Sequence, residues 1–135
     1  MEKRAIDNPD KAPSPDFNWA LEVAAVDRLL FITGTTAVGT DGRINFPGDA
    51  PGQARWILES FGRLLANAGY EWADVIRLET TVAQGVSDAD LEAIKQLRAE
   101  FVGSLPVKPA AGTLRVVSRL AKPEMLVELE VIAAR

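Results

Sequence analysis

The chain has 135 residues, 47% of them hydrophobic and 25% charged, with a formal net charge of −4. That length suits one domain with a proper hydrophobic core, and the composition is that of an ordinary globular protein. There is no Cys and no His, which excludes disulfides, Cys/His zinc sites, thiolate nucleophiles and Ser–His triads.

Residues 1–16 are polar and carry Pro9, Pro13 and Pro15, which predicts an extended N-terminal segment ahead of a domain over 17–135. The opening MEKRAIDNPDK is too polar for a signal peptide, and no apolar run approaches the roughly 18–20 residues of a membrane span. The expected location is the cytoplasm. Trp19-Ala20-Leu21-Glu22-Val23 and Leu29-Leu30-Phe31-Ile32 read as strands on either side of Asp27-Arg28. Thr40-Asp41-Gly42-Arg43 is a turn signal, since Asp-Gly tolerates the positive φ of tight hairpins. Residues 19–45 are therefore expected to form an antiparallel hairpin or meander.

Asp49 or Ala50 caps a helix with Pro51 in its first turn. Ala54, Ile57, Leu58, Phe61, Leu64, Leu65 and Ala68 recur at helical spacing, so one face of 51–68 is buried, and Gly69 supplies a left-handed stop. The β-rich run from Val75 to Val82 is the next strand. Ser87-Asp88-Ala89-Asp90 is a capping-box variant opening a second helix whose stripe is Leu91, Ile94, Leu97 and Phe101. Gly103 ends it, and Pro106 and Pro109 prevent its resumption. Two final strands are expected over 112–119 and 125–134.

The order β-β-α-β-α-β-β defines an α/β chain of the α+β kind, with two helices on one face of a mixed sheet. In the last strand Met125, Val127, Leu129 and Val131 share one face, and Leu126, Glu128, Glu130 and Ile132 the other. The second face is mixed rather than fully polar, which suits a sheet whose far side meets another copy of the chain. With Leu114 and Val116 toward the helices, Thr113 and Arg115 face that side as well.

Several stretches, in order along residues 19–135, resemble the reactive-intermediate deaminase (RidA/YjgF-like) family. They are Leu30-Phe31-Ile32-Thr33-Gly34-Thr35, the Asp41-Gly42 turn, Gln53-Ala54-Arg55, Ala68-Gly69, Asp74-Val75-Ile76-Arg77 and the closing Val127-Glu128-Leu129-Glu130-Val131-Ile132-Ala133. The resemblance implies a chorismate-mutase-like fold assembled as a homotrimer with a central barrel and clefts between subunits. It also implies cofactor-independent and metal-independent hydrolysis of reactive enamines or imines to a keto acid and ammonia, with an arginine gripping the substrate carboxylate. Glu128 then matches the glutamate that positions the attacking water. Thr33 and Gly34 match a Ser-Gly pair lining the pocket, Trp19 matches an aromatic residue near the N-terminal strand, and Lys95 stands where deaminating members often carry an asparagine.

The family's substrate-binding arginine follows a Pro-Ala pair. Here Pro109-Ala110 is followed by Ala111-Gly112-Thr113-Leu114-Arg115, so the matching position is Ala111 or Gly112, and neither is arginine. Arg115 is the candidate substitute, because a guanidinium holds a carboxylate in a two-point fork. Substrate contacts are thus expected from Arg115, Thr33, Gly34, Trp19, Lys95, Gly112 and Thr113, and catalysis from Glu128, whose carboxylate can act as a base toward water.

Each candidate has a plainer reading. Glu128 and Glu130 suit interface ion pairs, Lys95 a solvated helix surface, Gly34 a strand bend, and Trp19, Trp56 and Trp72 packing. Arg77 and Arg119 suit structural ion pairs. Three functions compete on this basis: an imine or enamine hydrolase, a non-catalytic trimeric binder of small metabolites in the same clefts, and a ribonuclease. The net acidic charge and the absence of His argue against the last, and against nucleic acid as a partner.

Overall fold

A computed structural model describes the backbone of residues 1–135 and every side chain except that of Ala111. Three strands form its antiparallel centre: β3 (Leu29–Thr35), β7 (Val127–Ala134) and β4 (Val75–Ala83), in the order β3-β7-β4. Two short strands, β5 (Ala110–Ala111) and β6 (Arg115–Val117), run parallel to β4 along its other edge. Helices α1 (Ala50–Asn67) and α2 (Asp88–Val102) cover one face of this mixed sheet, and the α+β class is as expected.

Strand β7 explains how the two faces differ. Val127, Leu129, Val131 and Ala133 are buried, while Glu130 is exposed and Glu128 and Ile132 are half-buried. The buried set meets Leu78 and Val82 of β4 and the α1 residues Ile57, Leu58, Phe61 and Leu65 in one core. Each such side chain contributes about 1.5–3 kcal/mol when fully buried. The far face of the sheet is uncovered in the single chain.

Local chemistry sets the helix ends. Asp49 Oδ1 accepts from Gly52 N–H at 2.9 Å at the start of α1. At its end the Tyr70 and Gly69 N–H groups return to the Leu65 and Ala66 carbonyls at 2.8 and 3.1 Å, with Gly69 at φ +77°, a closure that favours glycine. Ser87 Oγ accepts from Asp90 N–H at 3.1 Å to open α2. The α1 stripe is narrower than its spacing suggests: Leu64 is 40% exposed and Ala68, just past the helix end, is exposed as well.

Two expectations about strands are corrected. Residues 19–45 do not form one hairpin. The segment 1–16 contains strand β1 (Glu2–Ile6), which pairs antiparallel with β2 (Ala20–Ala24) in a separate two-stranded sheet. The chain then turns through Ala25 at φ +52°, and the Asp27 and Arg28 N–H groups both donate to the Arg135 carbonyl, starting β3 against β7 instead. The Asp41-Gly42 turn closes only a small loop, bridged between Val38 and Ile44.

The strand expected over 112–119 is the second correction: within it only β6 (Arg115–Val117) is strand, and the short β5 lies just before it. Val116 is 60% exposed on β6, at the outer edge of β4, and Leu114, just before β6, is 51% exposed rather than packed in the core beneath the helices.

Candidate functional site

The bridging of β3, β7, β4 and β6 places a row of polar side chains on the uncovered face. Thr81 of β4 is in register with Glu128 on one side and with Arg115 on the other. Glu128 lies against Gly34, where β3 is irregular between Ile32 and Thr35. Its carboxylate fills the space a Cβ at position 34 would need, so any larger residue there displaces the end of the Glu128 side chain. Thr33 is exposed on the same strand, and its carbonyl accepts from Thr35 Oγ1 at 2.9 Å.

The next row is Glu79 opposite Glu130. Glu79 is buried and receives Arg77 Nη2 at 2.6 Å and, more distantly, Arg115 Nη2 at 3.6 Å. The Arg77 hydrogen bond holds the Glu79 carboxyl below the usual carboxylate range, against the opposing effect of burial. Glu130 is held above that range, chiefly by its hydrogen bond to Glu79, then by burial and by the Glu79 charge. The two adjacent carboxyls are therefore shifted in opposite directions, the usual outcome for like charges in contact. Arg115 is thus engaged within its own chain, with its side chain half exposed.

A second feature lies at the edge of the sheet under α2: a cavity of about 470 Å³. Residues 16–19 form one wall, and the segment leading into them is firmly tied. Asn18 N–H and Nδ2 donate to the Pro109 and Lys108 carbonyls at 3.0 and 2.6 Å, Lys108 Nζ donates to Ser14 O at 2.8 Å, and Trp19 Nε1 donates to Ala12 O at 2.8 Å. Phe17 and Trp19 meet edge to face, with ring centroids 4.9 Å apart. Leu91, Ile94 and Leu114 complete an apolar lining, and Asp88, Glu92 and Lys95 reach it from α2.

Arg98 and Asp16 stand at the floor of this cavity. Arg98 is buried, with Nη1 on Thr80 Oγ1 at 2.6 Å, Nη2 on Leu78 O at 3.1 Å and Nε 3.2 Å from Asp16 Oδ2. Burial lowers its pKa and the Asp16 charge opposes that effect, and the two opposite charges offset each other toward the cavity.

The expected site residues thus fall into two groups. Trp19, Lys95 and Gly112 line the cavity, whereas Glu128, Gly34, Thr33 and Arg115 lie on the uncovered sheet face. Glu79 joins the groups: its side chain occupies the place of a Cβ at Gly112. Thr113 is exposed beside Gly112 and lines neither region. Arg98, Asp16 and Glu79 were not foreseen. Arg98 had a signal, since it lies seven residues after Leu91 and four after Ile94, a charge set inside an apolar stripe. Asp16, in a proline-rich segment, had none. Trp56 and Trp72 pack against the core, and Trp72 meets Phe101 edge to face. Arg77 pairs with Glu79 as expected, while Arg119 donates to the Ala121 carbonyl instead of a carboxylate.

No group of three or more acidic side chains suited to a metal ion occurs among the described residues, and no helix there is long and apolar enough to cross a membrane.

Residues 10–135 match the family model described as Endoribonuclease L-PSP. The chain is 28% identical to the 3-aminoacrylate deaminase RutC of Acinetobacter baylyi over 125 residues, 93% of each chain. The crystal structure of the conserved Rid family protein YyfB from Yersinia pestis, a protein of unknown function, is 33% identical and superposes over the whole of both chains with a TM-score of 0.86. E. coli TdcF with bound serine shares the fold at 23% identity, over 91% of this chain and 96% of that one, with a TM-score of 0.66. The chain belongs to this RidA/YjgF-like family, the one its ordered motifs resemble.

Proposed function

We propose that this protein is a cofactor-independent hydrolase of the imine or enamine deaminase type, acting on a small reactive metabolite by addition of water. The observation that carries the reading is the seat of Glu128: a carboxylate pressed against Gly34, on a face that one chain leaves open. The relationship to a 3-aminoacrylate deaminase supports the same class of reaction. In this reading Glu128 holds a water for attack on the C=N carbon and takes its proton, a role that contributes about 10²–10⁴-fold to rate. Because Glu128 and the cavity lie in separate regions of one chain, the working site forms between subunits of a homotrimer, with Glu128 of one copy approaching the cavity of another.

Imines generated in situ by an amino-acid lyase or oxidase, with survivors trapped by semicarbazide, test this directly. The protein is expected to lower the trapped imine, and Glu128→Gln to reduce that effect about 100-fold or more. Turnover unchanged by Glu128→Gln rules the mechanism out.

One observation favours a second reading. Glu79 sits across Gly112, in the region where the family's substrate-binding arginine is missing. Loss of that anchor weakens ground-state and transition-state binding alike, as in a trimeric binder that releases its ligand unchanged. A metabolite that raises the melting temperature and is recovered intact supports that alternative.

A further inference from the structure

We infer that the cavity under α2 takes an apolar amine-derived imine that carries no carboxylate. This rests on the hydrolase reading and names its substrate class. The walls set the body of the ligand: Phe17, Trp19, Leu91, Ile94 and Leu114 present apolar surface around about 470 Å³, room for an aromatic or branched side chain.

The charges set its head group. At the cavity floor the Arg98 charge is offset by Asp16, and its Nη1 and Nη2 donate to Thr80 Oγ1 and the Leu78 carbonyl. Its Nε is buried out of reach of a ligand, with no hydrogen-bond partner of its own. At Gly112 the neighbouring side chain is an acid, Glu79, itself held by Arg77. Among the described residues lining the cavity, Lys95 is the cation without an ion pair. It lies three residues from Glu92 on the same helix, so a carboxylate reaching for it meets Glu92 as well. Asp88 and Glu92 are exposed, line the cavity, and form no ion pair among the described residues. Apart from the compensated Arg98–Asp16 pair, the lining charges are two negative and one positive.

Such a cavity disfavours an anionic head and favours a protonated imine, which is also the form that water attacks most readily. The reaction balances as R–CH=NH₂⁺ + H₂O → R–CHO + NH₄⁺. The water oxygen bonds to carbon, its two protons pass in turn through Glu128 to nitrogen, and the C–N bond breaks as the carbonyl forms, releasing ammonium. A reaction that oxidises primary amines by two electrons supplies such a substrate.

The test compares two imines with the same benzyl group: one made from phenethylamine by an amine oxidase, the other from phenylalanine by an amino-acid oxidase. Ammonia release is followed with wild-type protein. In parallel, calorimetry measures binding of phenethylamine and phenylalanine, which differ by the carboxylate alone. The imine without the carboxylate is expected to turn over about tenfold faster, and phenethylamine to bind about tenfold more tightly, the scale of one or two partly exposed charge contacts. Asp88→Asn with Glu92→Gln should shrink both preferences to about twofold or less. Preferential amine binding with no turnover of either imine upholds the ligand class and removes the hydrolase reading. Equal or faster turnover of the carboxylate-bearing imine upholds the hydrolase and overturns the ligand class. Absence of both binding and turnover also overturns it.

Discussion

The two faces of the central sheet are made by the same strands and obey opposite rules. Along β7, Val127, Leu129 and Val131 enter a core closed by α1, while Glu128 and Glu130, one residue out of phase, lie opposite Thr81 and Glu79 of β4. Two phenylalanines mark the difference: Phe61 on the covered face is 1% exposed, and Phe31 on the other is 69% exposed. The covered face holds the chain together. In the proposed reaction the open one supplies the chemistry, because a carboxylate can work only where water and a substrate can reach it.

Replacing these two phenylalanines gives the largest expected contrast. Phe61→Ala should lose about 3–5 kcal/mol of stability in urea denaturation, from lost burial and the cavity left behind. Phe31→Ala should lose about 0.5 kcal/mol or less if its face stays in water. A much larger loss that grows with protein concentration would show the face to be covered by another copy.

Gln53 ties the faces together, and its removal ranks next. This buried amide donates to the carbonyls of Phe46 and Glu124 at 3.2 and 3.1 Å, and accepts from Leu126 N–H at 2.9 Å, two residues before Glu128. Gln53→Ala leaves buried backbone groups without partners, and denaturation should register a loss of about 2–3 kcal/mol.

Gly34→Ala separates stability from function. The atom that must move is the mobile end of the Glu128 side chain, so the melting curve should record about 1 kcal/mol or less. The displaced carboxylate should cost about 100-fold in imine turnover, the scale of an ångström's misplacement of a catalytic group. Wild-type turnover in this variant would remove Glu128 from the reaction.

The smallest effect concerns pH. Because Glu79 holds the Glu130 carboxyl above its ordinary range, the folded state favours protonated Glu130. That preference is fully present below the unfolded carboxylate pKa and is lost as pH rises through the raised folded value. Glu130→Gln should therefore be slightly more stable than wild type at neutral pH, by about 0.5 kcal/mol or less given solvent screening. The advantage should vanish as pH falls below the carboxylate range. Glu79 behaves oppositely: its lowered pKa, set first by Arg77, contributes stability above the unfolded carboxylate pKa, lost as pH falls through the lowered folded value. Melting curves across this range should show Glu79→Gln destabilised only at the upper end.

Much of this was legible in the chain. The helix over 51–68 with its Asp49 cap and Gly69 stop, the Ser87 cap of α2 and the alternation of β7 all follow from short-range spacing, and the structure keeps them. The ordered motifs pointed to the family without a view of the fold. The pairing of β2 was not legible, because its partner lies in the polar stretch 2–6, where no apolar pattern marks a strand. The cavity was only half legible: Trp19, Lys95 and Gly112 stood out, while the Asp16–Arg98 pair joins residues 82 positions apart and depends on segment 12–18 folding back over α2.

What the sequence by itself determined is therefore local: caps, stripes, alternation and the absence of Cys and His, each set by interactions within a few residues. Tertiary structure decided which strands are neighbours, that Glu128 and the cavity occupy separate regions of one chain, and that Glu79 fills the space beside Gly112. Those outcomes depend on long-range packing and on charges brought together from distant segments, and a carboxylate's neighbours across a sheet are not written in its neighbours along the chain.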